Sequence, residues 1–143
     1  MKFKEADVRD CVRSMFPRNV EWNEPSFGSS VGKPDCEISG IPIELKMWEE
    51  TRKGVKAVMR PAQIRWHTMH ARNGGKSAIL YGVAASDHKA GLIGLYILPG
   101  KFVPKTNYDW DNSKEEFIGY LKDHPINLRN SLLNIICGDF FWS

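Results

Sequence analysis

Three residues of the chain have the types and spacing to do chemistry together: Asp35, Glu44 and Lys46. They lie in the string Pro34-Asp35-Cys36-Glu37-Ile38-Ser39-Gly40-Ile41-Pro42-Ile43-Glu44-Leu45-Lys46. A two-residue bend at Ser39-Gly40 makes this a hairpin. Ile38 then faces Ile41, Glu37 faces Pro42, Cys36 faces Ile43, and Asp35 faces Glu44. Directly opposed residues have Cβ atoms about 4.5–5.5 Å apart, so two carboxylates stand side by side, with Lys46 further along the same face. Paired carboxylates repel and weaken a sheet unless a cation lies between them. Mg²⁺ (or Mn²⁺) takes hard oxygen ligands and keeps several waters; Asp35, Glu44 and the Leu45 carbonyl can supply the protein's share. A metal so held polarises a phosphoryl oxygen and acidifies a bound water, and Lys46 can orient that water or stabilise developing charge. Phosphodiester hydrolysis is the chemistry this set suits. An amphipathic hairpin with a solvated acidic face remains the alternative on these residues alone, and Glu37 shares that face.

The elements that must position these groups follow from patterning. Residues 4–16 read as a helix with Val8, Val12 and Met15 on one apolar stripe, ended by Pro17. Glu5 lies on the same stripe, where a carboxylate needs a partner unless it merely favours the helix N-terminus. Residues 18–33 are turn-rich, with a short strand at 20–22. The opposite hairpin face (Cys36, Ile38, Ile41, Ile43, Leu45) is apolar and belongs to the core. Residues 47–60 read as a basic connection. Pro61 opens a helix that Gly74-Gly75 stops after residue 73. Residues 78–84 form an apolar run expected to be a strand covered on both faces, and 92–98 another, separated by a turn at 86–91. Ser113 and Glu116 have capping-box spacing for a helix over 113–123, and a last helix is expected over 128–137. The element order points to an α/β or α+β sandwich around one sheet; of the two, the expected fold class is α/β, a central mixed sheet flanked by helices.

Length and composition agree. The chain has 143 residues, the size of a single domain spanning 1–143. A chain of this size buries about 70% of the surface its unfolded form exposes. With 42% hydrophobic and 26% charged residues, extended disorder is not expected as the main state. No apolar run reaches the roughly 18 residues of a membrane span. The charged N-terminal stretch is not expected to be a secretory signal. Cys11, Cys36 and Cys137 fit neither a disulfide framework nor a zinc site, so the reducing cytoplasm (host cytoplasm if viral) is the expected compartment, with Cys11 and Cys36 as core residues.

Charge is segregated. Residues 51–86 hold seven basic residues and no acid, a net of +7; the other 13 basic and 17 acidic residues give −4. An anionic partner facing mid-chain accounts for this, as does a solvated basic face. Arg52, Lys53, Lys56 and Arg60 follow the hairpin, while Arg65 and Arg72 share a helix face. Phosphate contacts by such residues hold nucleic acid without reading sequence. Trp66 suits base stacking but better suits a core or interface position, and His67 and His70 lack a third ligand and suit a polar-face or packing role.

Pro34-Asp35 followed by Glu44-Leu45-Lys46 resembles the signature of the PD-(D/E)XK nuclease superfamily. Glu5 on the first helix matches a supporting acid of that group, and the Gly/Ser-rich loop at 28–33 precedes the Pro-Asp as in its members. Gln63, just inside the helix after the lysine strand, matches its glutamine. The pattern is most similar to small VRR-NUC and Holliday-junction-resolvase-like nucleases, many of phage origin, and covers about residues 4–98; a C-terminal helical extension, 99–143, matches nothing. The resemblance implies a restriction-endonuclease-like core, Mg²⁺ or Mn²⁺ on Asp35 and Glu44, Lys46 as the catalytic lysine, and Gln63 and Glu5 in support. It implies a DNA substrate, duplex or branched. Two cuts in a symmetric junction call for a homodimer, for which the apolar segment 132–142 offers an interface or, equally, a closing piece of the monomer core. A nucleic-acid-binding module without cleavage is the alternative.

Overall fold

The computed structural model describes residues 3–23, 32–84 and 93–143. The loop residues 28–31, the turn at 86–91 and Leu92 lie outside them. Helix α1 spans Glu5–Met15 and buries Val8, Val12 and Met15, the stripe expected from their spacing. Strand β1 is Val20–Trp22, β2 Cys36–Ile38 and β3 Ile41–Thr51. The β2–β3 hairpin has the expected register, Ile38 opposite Ile41 and Cys36 opposite Ile43. Ser39 and Gly40 both adopt positive φ, 51° and 75°, the backbone a two-residue turn of this hand requires.

The basic connection expected over 47–60 is instead mostly strand. β3 continues to Thr51, turns, and pairs with β4, Gly54–Lys56. The added length serves a parallel pairing of β3 with β5, Ala78–Ala84, that runs from Ile43 opposite Ala78 to Glu49 opposite Ala84. Between them α2, Pro61–Arg72, makes the crossover. β6, Gly94–Pro99, lies antiparallel to β5. The helix expected over 113–123 is a correction of the same kind. Asn112–Lys114 forms a single 3-10 turn and Glu116–Tyr120 is a strand, β7, antiparallel to β6. Phe117 packs on Tyr96 of β6, and Gly119 at φ 153° has backbone no helix uses. Cross-strand aromatic contact outweighs the Ser113/Glu116 spacing, and Asp111 rather than Ser113 supplies the cap. The extension is therefore not wholly helical; it adds an edge strand before α3, Pro125–Ile136.

Among the described residues the result is an α/β fold with a mixed seven-stranded sheet in the order β1-β2-β3-β5-β6-β7, β4 pairing the far end of β3, and three flanking α-helices. Each sheet face has its own core. On one, α1 and α3 cover Cys36, Ile38, Ile43, Leu45, Leu80, Leu95 and Ile97. On the other, Trp48, Ile79, Tyr81 and Leu98 pack with Ile64 of α2 and with Trp110. Leu128, Leu132, Ile136 and Phe141 fill the first core, so most of the apolar C-terminal segment closes the chain on itself; Phe140 is 84% exposed. Among the described residues no helix is long and apolar enough to cross a membrane.

Candidate functional site

β3 carries the site because its side chains alternate. Ile43 and Leu45 enter the α1–α3 core, which turns Glu44 and Lys46 to the other face. Asp35 sits just before β2, and its Oδ2 accepts the Leu45 backbone N–H at 2.8 Å. That bond holds Asp35 beside Glu44, close enough for each carboxyl group to act on the other. Glu44 is 1% exposed. Burial, then Asp35, pushes its pKa up to about 10, against a smaller opposing pull from Lys46. Its Oε1 is buried and has no hydrogen-bond partner among the described residues.

The N-terminal turn of α1 brings Glu5 to the same place. Its Oε1 lies 4.0 Å from Lys46 Nζ. Burial first and the Asp35 charge second raise the Glu5 pKa, while Lys46, Arg9 and Arg60 lower it. Four of the expected residues thus converge: Glu5, Asp35, Glu44 and Lys46. Arg60, at the start of α2, is close enough for its charge to be felt.

Gln63 has another use. Its Oε1 accepts the Arg60 backbone N–H at 3.0 Å, closing the N-terminal turn of α2. Arg52 and Lys53 are exposed at the β3–β4 turn, Lys53 lying over the Tyr108 ring. Lys56 stands opposite Glu49 in the strand pair. Arg65 and Arg72 do share a face, lining with Ile64, Met69 and Lys105 a groove of about 550 Å³ on the outside of α2. His70 stacks on Trp66 and contacts the Lys76 carbonyl, and His67 is fully buried against Ser77, so these three pack rather than bind.

Arg9 was not among the expected residues. One turn after Glu5, its Nη2 lies 3.3 Å from Asp35 Oδ1. The i, i+4 spacing from Glu5 is the sequence signal; its meaning depends on where Asp35 falls.

The donor set suits a hard divalent cation. Two adjacent carboxyls, one of them pushed toward its neutral form by burial and holding an oxygen with no partner among the described residues, are the surroundings a cation would relieve. Among the described residues no three His, Cys, Asp or Glu side chains form a ready-made cage. Two carboxylates, a carbonyl and waters do not require one. Comparison with protein-family models, curated proteins and solved structures finds no match to this chain.

Proposed function

We propose that the chain is a metal-dependent endonuclease that hydrolyses DNA phosphodiester bonds on a restriction-endonuclease-like core. The observation that carries the reading is the pair of half-buried Asp35 and buried Glu44, with a Glu44 oxygen that has no partner among the described residues, set beside Lys46. A binding module needs cations for phosphates; it has no use for a paired acid that costs stability. Asp35, Glu44 and the Leu45 carbonyl would hold Mg²⁺ or Mn²⁺, which when bound acidifies water and polarises the phosphoryl group. Lys46, mostly shielded from solvent and held near Glu5, orients the attacking water or stabilises negative charge developing on the phosphate. Glu5 keeps the ammonium in place. The Asp35–Leu45 bond fixes the backbone on which the pair depends.

Supercoiled, linear and four-way-junction DNA incubated with Mg²⁺, Mn²⁺ or EDTA tests this. Nicking is expected with either metal and none with EDTA. Lys46→Ala should lower cleavage by about 10²-fold or more, the usual cost of one electrostatic group at a reacting centre, while DNA binding persists. Equal cleavage by Lys46→Ala would reject the assignment. Metal-independent binding without any cleavage would leave the module reading in its place. Preference for the junction would extend the proposal to branched substrates.

A further inference from the structure

We propose that Arg9 is a phosphate-binding side chain of this site, held on Asp35 until a divalent cation takes that carboxylate. The inference rests on the nuclease reading above. It starts from an imbalance in the Arg9–Asp35 contact. Nε–H and Nη2–H lie along one edge of a guanidinium and fit two oxygens of a single anion. Asp35 offers only one. Its Oδ1 is 3.3 Å from Arg9 Nη2, while Oδ2 is taken by the Leu45 N–H at 2.8 Å. Arg9 Nε is buried and has no hydrogen-bond partner among the described residues. Half of a charged fork is therefore unused, and an unpaired buried donor is costly.

A phosphate diester satisfies both halves, because its two non-bridging oxygens are free and share a negative charge. The side chain can reach one. It is 37% exposed, and its guanidinium lies 5.7 Å from the centre of the Trp22 ring, which also carries Arg13 at 4.9 Å. That indole forms a shelf beside the site on which the guanidinium can turn without losing all its contacts. A cation on Asp35 would compete with Arg9 for the same carboxylate, and like charges would drive the guanidinium off. Glu5, an acid that also feels Arg9, already has Lys46 beside it, which leaves the bound DNA strand to take the freed fork. Arg9 thus opposes cation binding in the free protein and favours it once DNA is present, a coupling that acts in both directions.

Two variants test this: Arg9→Gln, which removes the charge, and Arg9→Lys, which keeps it but loses the fork. Thermal unfolding checks that both fold. Mn²⁺ binding to the free protein is measured by titration calorimetry, and affinity for labelled duplex DNA is measured in EDTA and in Ca²⁺. Arg9→Gln should bind Mn²⁺ about three- to tenfold more tightly, as expected for removing one charged competitor. Both variants should lose most of the Ca²⁺-dependent gain in DNA affinity while keeping their affinity in EDTA. Unchanged or weaker Mn²⁺ binding by Arg9→Gln, a full gain in Arg9→Lys, or no gain in the wild-type protein overturns the role of Arg9 and leaves the metal site standing. Wild-type protein that binds no Mn²⁺, or binds it equally after Asp35→Asn, overturns both.

Discussion

Glu44 places a carboxyl group where the fold gains nothing from it. Its surroundings favour the protonated form, so folded protein binds a proton there up to about pH 10 while the unfolded chain releases it near the ordinary carboxyl value of 4.5. Between those limits the folded state holds more protons, and stability falls as pH rises. Glu44→Gln removes that dependence and keeps the shape. We expect the variant to be more stable than wild type at mildly alkaline pH, on the order of 1–3 kcal/mol, because wild type must take up a proton at Glu44 to fold and Gln need not. Glu115, hydrogen-bonded by the Tyr81 hydroxyl and raised to about 7 by burial, adds a slope of the same sign in both proteins, so their difference isolates Glu44. Mg²⁺ should raise the melting temperature of wild type and not of Glu44→Gln, which should also lose cleavage. A Gln variant less stable than wild type across the alkaline range would mean that the carboxyl serves the fold after all. Such a site trades stability for a seat, which is why Glu44 rather than the better-solvated Glu37 is the informative acid.

The elements show where sequence suffices. The β2–β3 hairpin was legible because its determinants are local: two turn residues that tolerate positive φ, and an alternation that sends Ile43 and Leu45 one way and Glu44 and Lys46 the other. Glu5 was legible because the stripe of α1 fixes its direction. What failed depended on distant partners. The far half of β3 is held by β5 and by Trp48 packing on Tyr81 and Trp110, contacts invisible in a run of Lys, Arg and Glu. β7 hid behind a helix-cap spacing and a register shift opposite Leu95/Tyr96 that breaks its alternation. Gln63 was placed on the right helix, but at a position where its carbonyl closes the first turn. His67 takes the packing role expected of it, but its partner, Ser77, lies beyond α2 and is fixed only by the fold. The His67 pKa is lowered to about 4, by burial first and then by His70 and Lys46. The unfolded chain binds the extra proton between the ordinary value of 6.5 and 4, so this contribution is fully present above 6.5 and is lost as pH falls through that window. At about 1.36 kcal/mol per unit, it amounts to roughly 3 kcal/mol at most. His67→Gln should flatten the acid limb of a melting-temperature profile relative to wild type, and an unchanged limb would show that α2 does not depend on a neutral imidazole.

At the scale of the whole molecule, β3 links chemistry to attraction. It leaves the acid pair at Glu44 and reaches the basic turn after Thr51, so Lys46 and Arg52 are six residues, or about 20 Å, apart along one strand. At about 3.4 Å per nucleotide step of duplex, that span covers roughly six steps. Five of the seven basic residues of 51–86 are divided between the tip of one hairpin (Arg52, Lys53, Lys56) and the outer groove of α2 (Arg65, Arg72), while Arg60 is felt at Glu5 and Lys76 lies over the Trp142 ring. The cations at the tip are not equivalent. Arg52 and Lys53 are exposed, whereas Lys56 faces Glu49 across the strand pair and has part of its charge offset. Replacing Arg52, Lys53 and Lys56 together with Ala should weaken DNA binding and reduce the slope of log affinity against log salt by about two to three, since each released phosphate contact contributes about 0.9. Arg52 and Lys53 should account for most of it, and Lys56→Ala alone for less than one. Fluorescence anisotropy over a salt series reads the slope directly. A slope unchanged in the triple variant would remove the hairpin from the interface and leave the α2 groove to carry the attraction. The Asp35–Glu44 pair would be unaffected by that outcome, because holding a cation and drawing in a polyanion are tasks of opposite charge, assigned here to opposite ends of one strand.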